Sequence, residues 1–358
     1  MLGPDKGNRK ASFLLILKNK VMKKTKEEKR FNESVGIDVS KLTLDVFLYN
    51  KKLHREFANS GKGFEAMQKW IKTEAGNLEE IIYCFEHTGW YCILLSQFLN
   101  DRSIYYCCIN PLELKRSMGF RRGKSDKTDS YEIARFAWLR KEELAPSLPM
   151  PKNLIELQRL MSLRNQLVKQ STALKSLEKG MRVTMEKTTG DVAIKVILQS
   201  LQHIESQVKK VEKSMDELIK KETKMQSNYK LSRSVKGVGK VLAIQMLLHT
   251  QNYTRFDEWR HFSAYCGLVP YPHQSGTSIN GRRKIHSISD VKMKSLLSMS
   301  AISAIQHDAE LKMYYKKRVE EGKHKMIALN IIRNKIVARI FATVKRGTPY
   351  VEINKFAA

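Results

Sequence analysis

Periodicity changes twice along this chain, and that change limits the architectures open to it. Apolar runs at Val35–Tyr49, Arg55–Ala58, Ile81–Phe85 and Ile104–Ile109 read as strands, with helical stretches Gly63–Thr73, Trp90–Asn100 and Thr128–Arg140 between and after them. Such alternation predicts an α/β domain around a central sheet, closing near Glu143 where Pro146, Pro149 and Pro151 punctuate the text. The strand signal then stops. Leu157, Leu160, Leu163, Leu167, Leu174, Leu177 and Met181 keep three-and-four spacing, as do Ile194, Ile197, Leu201, Ile204, Val208, Val211, Met215 and Leu218. Two long helices broken near Thr188-Thr189-Gly190 are predicted, packed as a hairpin within one subunit or as a coiled coil between subunits. From Tyr229 the text is helical and basic again.

These shifts divide the 358 residues into a basic leader (1–33), expected to be disordered, an α/β domain (34–146), a coiled-coil connector (152–222) and a carboxyl-terminal, mostly helical domain (229–350). The fold class expected is α/β plus α. Sixty-five lysines and arginines against 36 acidic residues give a formal charge of +29, which calls for a polyanionic partner, nucleic acid before membrane. No apolar stretch is long enough to cross a bilayer, and the five cysteines are odd in number and form no CxxC pair. A soluble cytoplasmic protein with core thiols is expected, holding neither disulfides nor zinc.

Against this background a few carboxylates are out of place. Asp38 interrupts the apolar run Val35-Gly36-Ile37-Asp38-Val39-Ser40, where a charge is costly unless paired or bound to a cation. Glu86 closes the strand ending Cys84-Phe85 and runs into His87-Thr88-Gly89, a loop at a strand's carboxyl end. Asp126 and Asp129 follow at the start of a helix, three residues apart and so on one face. Converged, the four would suit hard divalent cations and phosphodiester chemistry. The plainer alternatives are helix capping and dipole compensation for the aspartates, and a solvated strand end for Glu86.

Farther along, Ser234-Val235-Lys236-Gly237-Val238-Gly239-Lys240 reads either as a turn offering N–H groups and the charges of Lys236 and Lys240 to a phosphate, or as an ordinary glycine turn between helices. Ser275 lies in a loop beside Gly276, ahead of the basic cluster Arg282-Arg283-Lys284. It is either a turn residue or a nucleophile. Arg333 and its basic neighbours Lys335, Arg339, Lys345 and Arg346 alternate with apolar residues on a helix that can pack on one face and meet phosphates on the other, or simply be solvated.

Together, Gly36-Ile37-Asp38-Val39-Ser40-Lys41, Glu86-His87-Thr88-Gly89 and Lys124-Ser125-Asp126-Lys127-Thr128-Asp129 resemble the amino-terminal DEDD domain of the insertion-sequence transposases related to the Piv invertase, some of which are bridge-RNA-guided recombinases. That domain is similar to the RuvC Holliday-junction resolvase, an RNase H-like fold. The resemblance implies that Asp38, Glu86, Asp126 and Asp129 bind Mg2+. The block Gly267-Leu268-Val269-Pro270 followed by Ser275-Gly276 is similar to the family's carboxyl-terminal domain, whose serine joins covalently to DNA. By this resemblance Ser275 is the nucleophile. DNA, a structured guide RNA and further copies of the chain, as a dimer or tetramer at a prokaryotic nucleoid, are the implied partners. A resolvase-like nuclease with a merely structural Ser275, and a non-catalytic nucleic-acid-binding protein, are the competing readings.

Overall fold

The computed structural model describes residues 31–117, 125–184, 191–275, 279–285 and 289–351, with side chains left out at Thr184, 272–275, 279–280 and 282–284. The first 30 residues of the expected leader and the expected helix break at 188–190 lie outside the described residues. The chain forms two compact units, 1–149 and 150–358, dividing within the proline-punctuated stretch.

In the first unit, β1 (Glu33–Val39), β2 (Thr43–Leu48), β3 (Leu53–Ala58), β4 (Ile81–Glu86) and β5 (Tyr106–Ile109) make one mixed sheet in the order β3-β2-β1-β4-β5. The single apolar run expected over Val35–Tyr49 is two antiparallel strands. Ser40 makes the reversal, its hydroxyl bonding with the Thr43 carbonyl and hydroxyl. β1, β4 and β5 run parallel, while β2 and β3 are antiparallel additions. This mixed sheet is consistent with an RNase H-like domain. Glu33, assigned to the leader from sequence, instead opens β1. Its buried carboxylate accepts hydrogen bonds from the backbone N–H groups of Ser34, Asn50 and Lys51.

Strand alternation sorts the side chains onto two faces. Val35, Ile37, Val39, Leu44, Val46, Leu48, Ile81, Tyr83 and Phe85 point to one face, covered by α1 (Gly61–Ala75) and α2 (Ile93–Asp101) through Phe64, Met67, Ile71, Leu95 and Leu99. Each such fully buried side chain contributes roughly 1.5–3 kcal/mol. Ile82, Cys84, Cys107 and Ile109 face the other way, against α3 (Pro111–Ser117) and α4 (Asp126–Leu139) through Leu114, Ile133, Phe136 and Ala137. The five cysteines are free and all but Cys108 are buried, matching the expected core thiols.

The seat of α4 on β1 is unusually close. A Cβ on Gly36 would lie 2.1 Å from the Ser130 carbonyl oxygen and 2.2 Å from the Ala134 nitrogen, and Ser34 Oγ donates to the Ala134 carbonyl at 2.8 Å. Beyond β5 the chain folds back along the sheet margin. Ser147 N donates to the Tyr106 carbonyl, Cys108 N donates to Ser147 Oγ, and Tyr105 Oη donates to the Leu144 carbonyl.

The second unit begins with α5 (Lys152–Thr184) and α6 (Val192–Lys221), which are antiparallel where Asn153 meets Glu222 and Arg164 Nε donates to Glu212 at 2.8 Å. The packing is therefore a hairpin within one chain. Leu154, Leu157 and Met161 bury against Val211, Met215 and Leu218, and the same cluster takes in Ile244, Leu247 and Leu248 from the helices that follow. Those are α7 (Thr223–Ser234), α8 (Lys240–His249), α9 (Trp259–Tyr265), α10 (Val291–His307), α11 (Ala309–Glu320) and α12 (Lys325–Arg346), with a two-stranded sheet of β6 (Tyr271–Ser275) and β7 (Ile279–Lys284) between α9 and α10. Their core gathers Leu242, Met246, Phe262, Leu297, Ile332, Ile336 and Ile340. Among the described residues no helix is long and apolar enough to cross a membrane.

Because backbone atoms, not flexible side chains, stand where a Cβ would go, Gly36→Ala must push α4 off the sheet. Overpacking of this kind costs about 1–3 kcal/mol or more. Urea unfolding of the intact protein should show that loss, and an unchanged midpoint would refute the close seat.

Candidate active site

One sheet face collects the acids. Ser34, Gly36 and Asp38 alternate with the apolar residues of β1 and so share the α4 side, the first two in direct contact with Ala134 or Ser130. Because α4 runs from Ala134 back to Asp126 as β1 runs from Ser34 to Asp38, the helix start arrives over Asp38. On β4, Ile82 and Cys84 face α4, which puts Glu86 on that side too. The parallel register pairs Ile37 with Phe85, making Asp38 and Glu86 neighbours on adjacent strands. The four predicted carboxylates are thus brought together by strand alternation, one register and one helix direction.

Electrostatics agrees with this placement. Asp38 is pushed up from the usual 3.8 to about 6, by burial first and then by the charges of Asp129, Asp126, Glu86 and Asp45. Capping does not account for the two aspartates, because Ser125 is the N-cap of α4 and its side chain accepts from Thr128 N. Their charges still favour the helix start. Among the described residues no group of three or more His, Cys, Asp or Glu side chains is placed to hold a metal ion as it stands. The donor set itself, all carboxylate oxygens with mutual repulsion, suits a hard divalent cation.

A fifth acid escaped the sequence reading. Asp45 stands directly across from Asp38 in the β1–β2 register, is buried, and is held by His54 Nε2 at 2.8 Å from its Oδ1. Its signal was the same as that of Asp38, an acid inside an apolar run, Thr43-Leu44-Asp45-Val46-Phe47-Leu48. Reading Val35–Tyr49 as one strand hid the hairpin that pairs the two.

In the second unit the predicted residues do not converge in the same way. Ser275 is not in a loop but is the last residue of β6, paired with Ile279, and the neighbouring Gly276 lies outside the described residues. Arg282, Arg283 and Lys284 lie on β7, with side chains outside the described set. The segment leading to β6 is firmly anchored: His249 Nδ1 lies 2.9 Å from Tyr265 Oη, Tyr265 Oη donates to Asp290, and Asn330 Nδ2 donates to the Leu268 carbonyl at 2.7 Å.

Lys236, Gly237, Gly239 and Lys240 form the turn between α7 and α8. Gly237 adopts φ +86° and a Cβ there would meet the Ser300 carbonyl oxygen at 2.5 Å, so the glycine is demanded by backbone conformation and helix packing. Lys240 Nζ pairs with Asp216 at 2.7 Å, and Lys236 Nζ donates to the His307 carbonyl. Both ammonium groups are engaged inside the protein. On the last helix Arg339 pairs with Asp308 and Glu310, Lys335 sits over the Tyr314 ring and Arg333 is only 4 % exposed, so of the basic residues singled out there Lys345 and Arg346 are the exposed ones.

Residues 35–181 match a family model described as a transposase of the DEDD IS110 type, and residues 229–316 match one described as a transposase of the IS116/IS110/IS902 family. Pilin gene-inverting proteins of Moraxella bovis and Moraxella lacunata are each 24 % identical over 88 % of this chain and 97 % of their own length. An insertion element IS110 uncharacterized protein of Streptomyces coelicolor is 30 % identical over 33 % of this chain and 29 % of its own. The first model covers the strands and helix that bring the acids together, and the second covers the serine strand. In that order the two matches make this chain an IS110-type transposase, a DNA-recombining enzyme.

Proposed function

We propose that the protein cuts and rejoins DNA strands at the ends of an insertion element, using Mg2+ held by Asp38, Glu86, Asp126 and Asp129 and a covalent link through Ser275. What carries the metal half of this reading is Asp38: its carboxyl is held near 6 by burial and by surrounding carboxylates, a repulsion that a bound dication relieves. A divalent ion held by these four carboxylates would neutralise charge developing on phosphate oxygens.

In the covalent half, Ser275 Oγ gives up its proton and attacks phosphorus, a new P–O bond forms, and the bond to the departing strand's oxygen breaks as that oxygen takes up a proton in exchange. The reverse step, with another strand's hydroxyl, restores the phosphodiester and releases the serine. Phosphodiester energy is conserved throughout. Family resemblance supports this role, as does the gene inversion for which the Moraxella relatives are named. A structured guide RNA choosing the sites fits both that resemblance and the formal charge of +29. Assembly as a dimer or tetramer is supported by apolar side chains left exposed on the hairpin, Leu163, Leu177, Val183 and Val196 among them. The cytoplasm of a prokaryotic cell, at the nucleoid, is where such a reaction belongs. The nuclease alternative keeps the acids and makes Ser275 structural.

Two expected outcomes follow. Asp38 is charged more easily in the unfolded chain (3.8) than in the fold (about 6), so its contribution is fully present below the lower value and lost as pH rises through the upper one. Without metal, wild-type protein should lose melting temperature relative to Asp38→Asn between about pH 4 and about pH 7, and Mg2+ should restore it only at the alkaline end. Parallel curves for the two proteins would dissolve the cluster. Asp38→Ala should also abolish DNA cleavage while leaving binding nearly intact.

Ser275→Ala should keep this Mg2+ response yet lose both recombination and the protein–DNA adduct. The check is to denature a reaction on labelled DNA and map the nucleotide-bearing peptide. An adduct at another residue, or none with cleavage preserved, favours the nuclease.

A further inference from the structure

Outside the carboxylate site, the least accounted-for charge is Arg333 on α12. Its side chain is almost wholly buried, its Nε is shut from solvent without a hydrogen-bond partner, and its one described bond is from Nη1 to Asn330 Oδ1 at 3.4 Å, a turn back on the same helix. Among the described residues no carboxylate pairs with it. The contrast lies on the same helix, where Arg339 is met at 2.7 Å by both Asp308 and Glu310. Buried guanidinium groups are ordinarily paired, because desolvation penalises the lone cation.

A second unpaired cation lies close by. Lys294, half-buried on the packed helix α10, is drawn below its usual pKa by burial and then by the charge of Arg333, and Arg333 is itself lowered by burial. Among the described residues no acid pairs with either cation, and a bound anion would offset both charges. Asn330 connects the pair to the serine segment: it accepts from Arg333 and donates to the Leu268 carbonyl, in the Gly267-Leu268-Val269-Pro270 block just before β6.

We infer that Arg333 and Lys294, oriented through Asn330, hold a DNA phosphodiester beside the strand that carries Ser275. The choice of ligand follows from chemistry: a planar guanidinium fork with a point-like ammonium matches the two non-bridging oxygens of a phosphodiester. The counterion missing from the fold then arrives with the substrate. This inference rests on the reading that the second unit acts on DNA, and it assigns Arg333 a buried phosphate contact in place of one on a solvated helix face.

The test uses the full chain and measures binding to labelled duplexes of unrelated sequence across a salt series. Each phosphate contact contributes about 0.9 to the slope of log K against log salt, so Lys294→Gln and Arg333→Met should each flatten that slope by about one and weaken all sequences alike. Melting of the DNA-free protein should be unchanged or raised in Arg333→Met, because an uncompensated charge has gone. Unchanged slopes, or flattening seen on a structured RNA but not on DNA, would overturn the proposal, and a lowered free-state melting point with an unchanged slope would make Arg333 a structural cation. Should Arg333→Met fail to fold, the half-exposed Lys294→Gln decides by its slope alone. Mapping of the serine adduct on wild-type protein separates the two readings: an adduct with unchanged slopes removes only the anion seat, and flattened slopes without an adduct remove only the serine chemistry.

Discussion

The first unit depends on how closely α4 can approach β1. Only hydrogen at position 36 lets the Ser130 carbonyl and the Ala134 amide come so near the strand, and that approach sets the height of the helix above the sheet. Asp126 and Asp129 reach Asp38 as a result, because they stand at the end of α4 that overhangs the strand's carboxyl end. Residues remote from the chemistry, Ser34 and Gly36, thus set the spacing of the acids. The sheet contributes the rest through its register, which places Asp38 between Glu86 on one side and Asp45 on the other.

Both units store charge that the fold alone does not balance, with opposite signs. In the first, burial and the neighbouring carboxylates raise the proton affinity of Asp38, and in the second Arg333 and Lys294 are buried or half-buried with no acid paired to them among the described residues. Neither arrangement favours the free protein, since like charges in a low-dielectric setting repel strongly. A dication in one case and a phosphodiester in the other would supply the missing sign. An enzyme acting on a polyanion with a metal needs both, and here they are assigned to separate compact units.

Much of this was legible in the sequence, for reasons that differ by element. Asp38 declares itself as a charge inside an apolar run, Glu86 as one at the end of such a run, and Asp126 and Asp129 by helical spacing, all of them local patterns. The two long helices were legible from their apolar period, which matches the observed α5 and α6 closely. What stayed hidden depends on long-range pairing. The β1–β2 turn at Ser40 lacks the glycine or asparagine that marks a tight hairpin, so Asp45 and its partner His54 went unnoticed. The text from Tyr271 to Lys284 has no apolar alternation, so it reads as a loop where the backbone pairs Ser275 with Ile279. Arg333 looked like one of several basic residues on a helix, because periodicity cannot tell a paired arginine such as Arg339 from one left alone.

The return of residues 144–147 along β5 has a bearing on solubility. A parallel strand at the margin of a sheet presents a ladder of amides and carbonyls able to recruit a strand from another molecule, and at Tyr106 and Cys108 that ladder is occupied by Ser147. The opposite margin, β3, is guarded differently, by the charged side chains of Arg55 and Glu56. A proteolytic cut or a gene truncation at Glu143 would leave the acidic cluster's own residues in place yet uncover β5, giving a fragment prone to stack edge to edge. The residues around the first of these prolines therefore act as a molecular selvedge that keeps the sheet from fraying into its neighbours.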